Sequence, residues 1–277
     1  MGLRINQNTA AMNSYRNLSV TEGQLSKSLE KLSSGFRINR AADDAAGLSI
    51  SEHLRSQVGG FKVASRNAQD GISLIQTAEG SLNEVHSLLQ RVRDLAVQAA
   101  NGTNDSASGA AAQAEVTESL KEIDRIGNST VYGSLSLLTS SGATNTFTFA
   151  VGASGGATNQ ISAVISAVSS TALGVNAVNV STTAGADSAI ATIDAAIASV
   201  STSRSNLGAV QNRLEHTVAN LGVAVENLSA AESRIRDTDM AQEMVGFTRN
   251  QILSQAGTAM LAQANQLPQS VLQLLRG

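Results

Sequence analysis

A seven-residue repeat between about residues 189 and 236 constrains this chain more than any other feature. Ile193, Val200, Leu207, Leu214, Leu221, Leu228 and Ile235 recur at that interval without a miss. Ile190, Ile197, Val210, Val218 and Val225 lie on the flank of the same stripe. A strict heptad keeps one face of a long α-helix turned toward a partner helix. No proline interrupts the run, and Asp187, just before it, is expected to cap it. At about 1.5 Å rise per residue such a helix is roughly 70 Å long. That length predicts a rod rather than a globule.

The partner lies upstream. Leu54, Phe61, Ala68, Ile75, Leu82, Leu89 and Ala96 are seven apart, with Ile50, Ala64, Ala78, Val85, Val92 and Ala99 in companion positions. Gln57 and Gly71 are the imperfect members. The spacing predicts a helix over about 44–100, packed along the first and bringing both chain ends to one end of the molecule. A shorter helix over about 108–126 carries Val116, Leu120 and Ile123 against Glu115, Glu118, Lys121 and Glu122, and is expected to fold back as a third member of the bundle. Residues 1–35 hold a weaker stripe, Leu18, Leu25 and Leu32, with Tyr15 and Leu29 beside it. Residues 34–43 read as a connecting loop, after which Asp43 and Asp44 can cap the next helix.

The character changes between Ile126 and Ala186, where no charged residue occurs. Residues 146–151 and 160–165 alternate apolar and polar around a glycine-rich turn at 152–158, which predicts a β-hairpin over about 145–165. Residues 166–186 are too few for a further domain. Downstream of the long helix, 232–243 is dense in both charge signs, and then nothing between Arg249 and Arg276 is charged. Leu253, Met260, Leu267 and Leu274 still keep a heptad there, with Gln, Asn, Ser and Ala on the other faces. A surface helix would show Lys and Glu outward; this one expects protein on all sides. Pro268 is expected to kink it or to begin its last turns.

Composition narrows function by exclusion. There is no cysteine, hence no disulfide or thiolate metal site. A net charge of −3 does not argue for nucleic acid or an anionic membrane. No run of 18 apolar residues exists to span a bilayer, and the first residues lack a signal peptide's apolar core. The expectation is a cytoplasmic protein or one exported without a cleaved leader. His53, His86 and His216 are scattered without metal-ligand spacing, and His86, beside a heptad stripe, is expected to be partly buried. Asp43 and Asp44 have no third carboxylate nearby in sequence, residues 152–157 lack the lysine of a phosphate loop, and no His-Glu-x-x-His occurs. Neither catalysis nor a cofactor is expected.

Several segments, taken together, resemble the bacterial flagellins: Lys31 to Gly47 (KLSSGFRINRAADDAAG), Gln69 to Gly80, Leu89 to Gln98, Leu207 to His216, Ala230 to Asp237 and Met260 to Gln266. The resemblance covers nearly the whole chain. It implies a mainly α fold, an elongated rod of antiparallel heptad helices with a small β-hairpin over residues 41–237, plus an inner coiled-coil pair formed by 1–40 and 238–277. It implies a subunit that self-assembles into the flagellar filament, a homo-oligomeric helical polymer. The implied partners are an export chaperone, filament cap and hook–filament junction proteins, and host innate immune receptors. Tyr132-Gly133 stands where the family usually has Asn-Gly, and the outer domains of longer members have no room between the hairpin and residue 189. The alternatives are a hook–filament junction protein and, in another class, a coiled-coil signalling rod.

Three sets of residues carry the expected function. Leu18, Leu25, Leu32, Leu253, Met260, Leu267 and Leu274 are the expected assembly core. Arg37, Arg40, Asp43 and Asp44 on one side of a junction, and Arg234, Arg236, Asp237 and Asp239 on the other, are expected to pair within or between subunits and fix the angle between layers, with Arg37–Asp237 the pair to test. By resemblance, Leu89, Gln90, Arg91, Leu95, Gln98 and Glu115 are read by a Toll-like receptor, with Arg91, Leu95 and Gln98 on one helical face, and Leu272, Leu274 and Leu275 by a cytosolic immune sensor. Both chain ends are expected to order only within the filament.

Overall fold

The structure is a computed structural model and describes residues 7–103, 105–138 and 144–276, with side chains described as far as residue 266. Its helices are α1 (Thr9–Ser34), α2 (Ala45–Ala100), α3 (Ser106–Ser129), α4 (Thr183–Arg236) and α5 (Met240–Arg276). Two antiparallel hairpins join α3 to α4: β1 (Val131–Tyr132) with β2 (Leu135–Ser136), and β3 (Asn145–Ala150) with β4 (Gln160–Ile165).

Local chemistry sets the boundaries. The Asn8 carboxamide accepts from the Ala11 N–H to start α1, and Gly35, at φ 74°, ends it by donating to the Lys31 carbonyl. The two aspartates before α2 divide their roles. Asp44 Oδ1 accepts from the Gly47 N–H at 2.8 Å and caps the helix, whereas Asp43 Oδ2 accepts from the Asn39 and Arg40 N–H groups and ties the loop. Asp105 caps α3 through the Ser108 N–H at 2.8 Å. The expected cap of α4 is corrected. Asp187 lies inside the helix, and Thr182 starts it, its hydroxyl accepting from the Gly185 N–H and its carbonyl from the Ala186 N–H. The helix thus begins six residues before 189, and Ala186, seven before Ile193 and fully buried, continues the heptad row with a side chain too small to mark it. Asp239 opens α5, which runs on through Pro268.

The chain divides into two compact units, Met1–Ser56 with Asn227–Gly277, and Gln57–Glu226. In Gln57–Glu226, the heptad rows of α2 and α4 meet in one core. Ile75, Leu82, Val85, Leu89 and Val92 of α2 are fully buried with Ile193, Leu207 and Leu214 of α4, as is Ile123 of α3. Arg93–Asp194 (2.6 Å) and Arg204–Glu79 (3.6 Å) cross between α2 and α4 in antiparallel order. Complete burial of a Leu or Ile side chain contributes about 1.5–3 kcal/mol, far above these half-exposed ion pairs.

The uncharged stretch is structured throughout its described length. β1 and β2 are joined by Gly133-Ser134, with Gly133 at φ 60°, as a two-residue turn with glycine in its first central position requires. The turn therefore survives with tyrosine before the glycine. The β3–β4 hairpin rests on two glycines of α2: the Phe149 ring covers Gly71, and Ala153 covers Gly60. Gly71, imperfect in a heptad sense, is a seat for an aromatic ring. Residues 168–181 run along α3 as a succession of turns with Val168, Val175, Val178 and Val180 buried. One stripe of α3 receives it. Gly127 and Gly109 admit the Val168 and Ser181 carbonyls, Asp124 accepts from the Ser170 N–H (2.7 Å) and hydroxyl (2.8 Å), and Gln113 accepts from the Val180 N–H (2.6 Å) and donates to the Val178 carbonyl (3.3 Å). Pairing of this backbone by side chains is what permits it to be buried.

Candidate assembly surface

The unit containing the chain ends is built on an antiparallel pair, α1 against α5. Asn8 Nδ2 donates to the Ala264 carbonyl at 2.8 Å, Leu18 lies over Gly257, and Lys31 Nζ is 3.9 Å from Glu243. On α1 the seam is formed by Leu18, Leu25 and Leu32, with Ser14, Thr21 and Ser28 beside them; Leu18 and Ser28 are buried and the rest half-buried. Tyr15 and Leu29 point away from it and are exposed.

On α5 the seam is made by other residues than the apolar heptad. Asn250, Ser254, Gly257, Leu261 and Ala264 face α1. Small residues there let the α1 leucines approach the α5 backbone, as Leu18 does at Gly257. The heptad residues Leu253 and Met260 are 49% and 64% exposed. Met244, Val245, Ile252 and Leu253 line one open apolar groove, and Met12, Tyr15 and Leu261 line another. Leu267 and Leu274 of the same heptad, and Leu272 and Leu275, lie outside the described side chains. Two apolar grooves on one helix pair are features of the kind that mark a protein contact.

At the base of this unit the chain crosses itself. Phe36 and Asp237 form an isolated antiparallel bridge, flanked by Arg37 N–H to the Arg236 carbonyl (2.6 Å) and Thr238 N–H to the Gly35 carbonyl (3.0 Å). Arg37 Nη2 donates to the Ile235 carbonyl at 2.6 Å. Within the chain the expected Arg37–Asp237 ion pair is not made. The last carbonyls of α4 have no partner in the helix and carry its negative dipole end, so a guanidinium laid against them satisfies both. Arg236 is the pivot: its guanidinium sits 4.8 Å above the Phe36 ring centre, and its Nη1 is 2.5 Å from Glu52 Oε1. Arg40 pairs with Glu30 at 2.8 Å. Asp43, Asp44 and Asp239 serve as the loop and helix caps described above. Arg234 and the Asp237 carboxylate meet no oppositely charged group among the described residues. Ile38, 1% exposed, anchors the crossing beneath these charges. The bridge had no sequence signal beyond the breakers in 33–40.

In Gln57–Glu226, Arg91 of α2 and Glu115 of α3 pair with each other at 2.6 Å, and Gln90 bonds to His86 at 3.0 Å. His86 is half-buried as expected, with His53 and His216 exposed. Leu89 (0% exposed) and Leu95 (4%) belong to the core, so Leu95 does not share an exposed face with Arg91 and Gln98. Seven-residue spacing serves the helix interior first, and the apolar members of that set are interior.

Comparison with known proteins bears on all of this. Residues 5–143 match the bacterial flagellin N-terminal helical region, and residues 190–275 match the bacterial flagellin C-terminal helical region. The chain is similar to a flagellin of Halalkalibacterium halodurans, 53% identical over 98% of this chain and 99% of that one. It is also similar to a flagellin of Bacillus subtilis, 50% identical over 99% and 100% of the two chains. Flagellin FlaB2 of Treponema pallidum is 48% identical over 98% and 99%.

Proposed function

The chain belongs to the bacterial flagellin family and is a structural subunit of the flagellar filament, and from that premise we propose that its residues divide the work at the unit boundaries. Gln57–Glu226 is the self-sufficient body, and the α1–α5 pair is the element that neighbouring subunits cover. The observation that carries this is the exposed row Met244, Val245, Ile252, Leu253 and Met260 on a helix with no charge between Arg249 and Arg276. Burial of such a row between unlike surfaces of successive copies yields an open helical polymer. The Phe36–Asp237 bridge and its Arg236–Glu52 pair hold the crossing of the two strands in each copy.

The subunit leaves the cell and works outside it. A chaperone covers the apolar α5 before export, and cap and hook–filament junction proteins meet the same ends. The receptor-facing residues of α2 and α3 are Gln90, Arg91, Gln98 and Glu115, with Leu89 and Leu95 supporting them from the core. Leu272, Leu274 and Leu275 are the residues for the cytosolic sensor. With α4 starting at Thr183, no further protein layer surrounds the filament.

The test is Leu253→Asp in the full-length protein, assayed by seeded elongation and electron microscopy. We expect an unchanged helical circular-dichroism spectrum and no filaments. Elongation at the parent rate would show that this row is not the contact.

A further inference from the structure

The chain has no cysteine and no tryptophan, so its most readily oxidised side chains are its five methionines. Their placement is one-sided. Met1 lies outside the described residues. Met12 of α1 and Met240, Met244 and Met260 of α5 are 68%, 47%, 49% and 64% exposed. The core of Gln57–Glu226 contains none, although methionine is a common gap-filler in cores. Every described thioether therefore stands on the outward faces of one helix pair, and Met12 and Met244 each line one of its two apolar grooves.

We propose that Met12, Met240, Met244 and Met260 are oxidation sites of the free subunit, and that their sulfoxides block its addition to a filament. The inference rests on the reading above that a second copy covers these faces. The oxidant class is a two-electron oxygen donor such as hydrogen peroxide. A sulfur lone pair attacks one peroxide oxygen, the O–O bond breaks as the S–O bond forms, and water leaves, so the thioether is oxidised and the peroxide reduced. The product is a polar S=O group on a face meant to be buried. The grooves are lined mainly by alkyl and aromatic side chains, with Arg249 in one and Asn13, Arg16 and Asn265 in the other, so a sulfoxide covered there exchanges its water for few donors. A neighbouring copy seated on the same face excludes peroxide from the sulfur, so the filament protects what the monomer exposes. The step is reversible by methionine sulfoxide reductases of both stereospecificities with a dithiol as reductant.

The experiment uses full-length monomer treated with hydrogen peroxide until mass spectrometry finds one added oxygen at each of the four residues, then tested for elongation of parent seeds. We expect at least tenfold slower elongation with unchanged helix content, and recovery after treatment with the paired reductases and dithiothreitol. We also expect at least tenfold slower oxidation of the same methionines in preformed filament. Substitution to leucine conserves volume, so the combined M12L/M240L/M244L/M260L variant should elongate at the same rate before and after peroxide. If that variant elongates poorly from the start, the four single variants replace it, and partial retention of rate after peroxide in at least one is required. Oxidised monomer elongating at the parent rate overturns the proposal, as does equal reactivity of monomer and filament. Failure of unoxidised parent monomer to elongate seeds would instead overturn the covered-face reading itself.

Discussion

Gln57–Glu226 buries Ile75, Leu82, Val85, Leu89, Val92, Leu207 and Leu214 completely, whereas in the unit holding the chain ends only Leu18, Ile38 and Ala264 are buried apolar residues among those described. Both units carry heptad rows of similar regularity. In the first, α2, α3 and α4 offer apolar rows to one another, and the row becomes a core. In the second, α5 turns mainly small and polar residues, with Leu261 among them, toward α1 and leaves Leu253 and Met260 outside. A heptad therefore says that a helix face needs a partner, but not that the same chain supplies it. Where a long apolar row stays exposed beside a polar seam, the missing partner belongs to another copy.

The largest expected effect comes from removing the C-terminal half of α5, which carries Met260 of the exposed row and the uncharged helix beyond it. Deleting residues 254–277 should abolish filament formation while Gln57–Glu226 keeps its helical spectrum and its thermal transition. Filaments from that truncation, seen by electron microscopy, would break the distinction between the units. Hydrogen exchange sharpens it without mutation. Ordering costs about 1–2 kcal/mol per residue, and the α1–α5 pair buries little to offset it. Amides of 9–34 and 245–266 should exchange fast in dilute monomer and be strongly slowed in filament, while those of 75–96 stay protected in both. Protection of the ends already in monomer would show that the pair stands alone.

A crossed pair of substitutions gives the next effect. Leu82→Ala empties a fully buried site and should destabilise the monomer by about 2–5 kcal/mol. Leu253→Ala should change monomer stability by less than about 0.5 kcal/mol yet slow elongation severely. Denaturant melts and seeded elongation on the same two proteins read both quantities. Equal monomer destabilisation by the two would mean that Leu253 has an intramolecular partner after all.

How much of this was legible in the sequence depends on what sort of force places each segment. Rows of Leu, Ile and Val located α2, α3 and α4 to within a few residues, because apolar periodicity is a direct image of burial. The β3–β4 hairpin was legible for the same reason. Residues 166–182 were not, since their position is set by Gln113 and Asp124 bonding to backbone and by Gly109 and Gly127 making room. Neither device leaves a periodic trace. The α5 seam was not legible, because the most hydrophobic row draws attention while close helix approach selects for Gly257 and Ala264. The charge cluster at 232–243 was legible as a junction, but its partners are Glu52, the Phe36 ring, Lys31 and the first N–H groups of α5, which charge counting does not reveal.

The smallest effect concerns the loop that leads into α2. The Asn39 and Arg40 N–H groups bond to the Asp43 carboxylate, and the hydrogen bond from the Arg40 backbone is the main cause that holds its pKa below the ordinary 3.8. The sign follows from linkage. A carboxylate whose native pKa is lowered contributes stability that is fully present above 3.8 and lost as pH falls through the lowered native value. The group is fully exposed, so the effect is local. In Asp43→Ala the amides of Asn39 and Arg40 should exchange faster than in the parent at neutral pH. Intrinsic exchange rates cancel when the two proteins are compared at the same pH, so the ratio isolates the carboxylate. That ratio should fall toward one as pH drops well below 3.8 and the parent's own carboxyl is protonated. A ratio that stays constant with pH would mean that the loop is held by its backbone turn, with Asp43 contributing shape rather than charge.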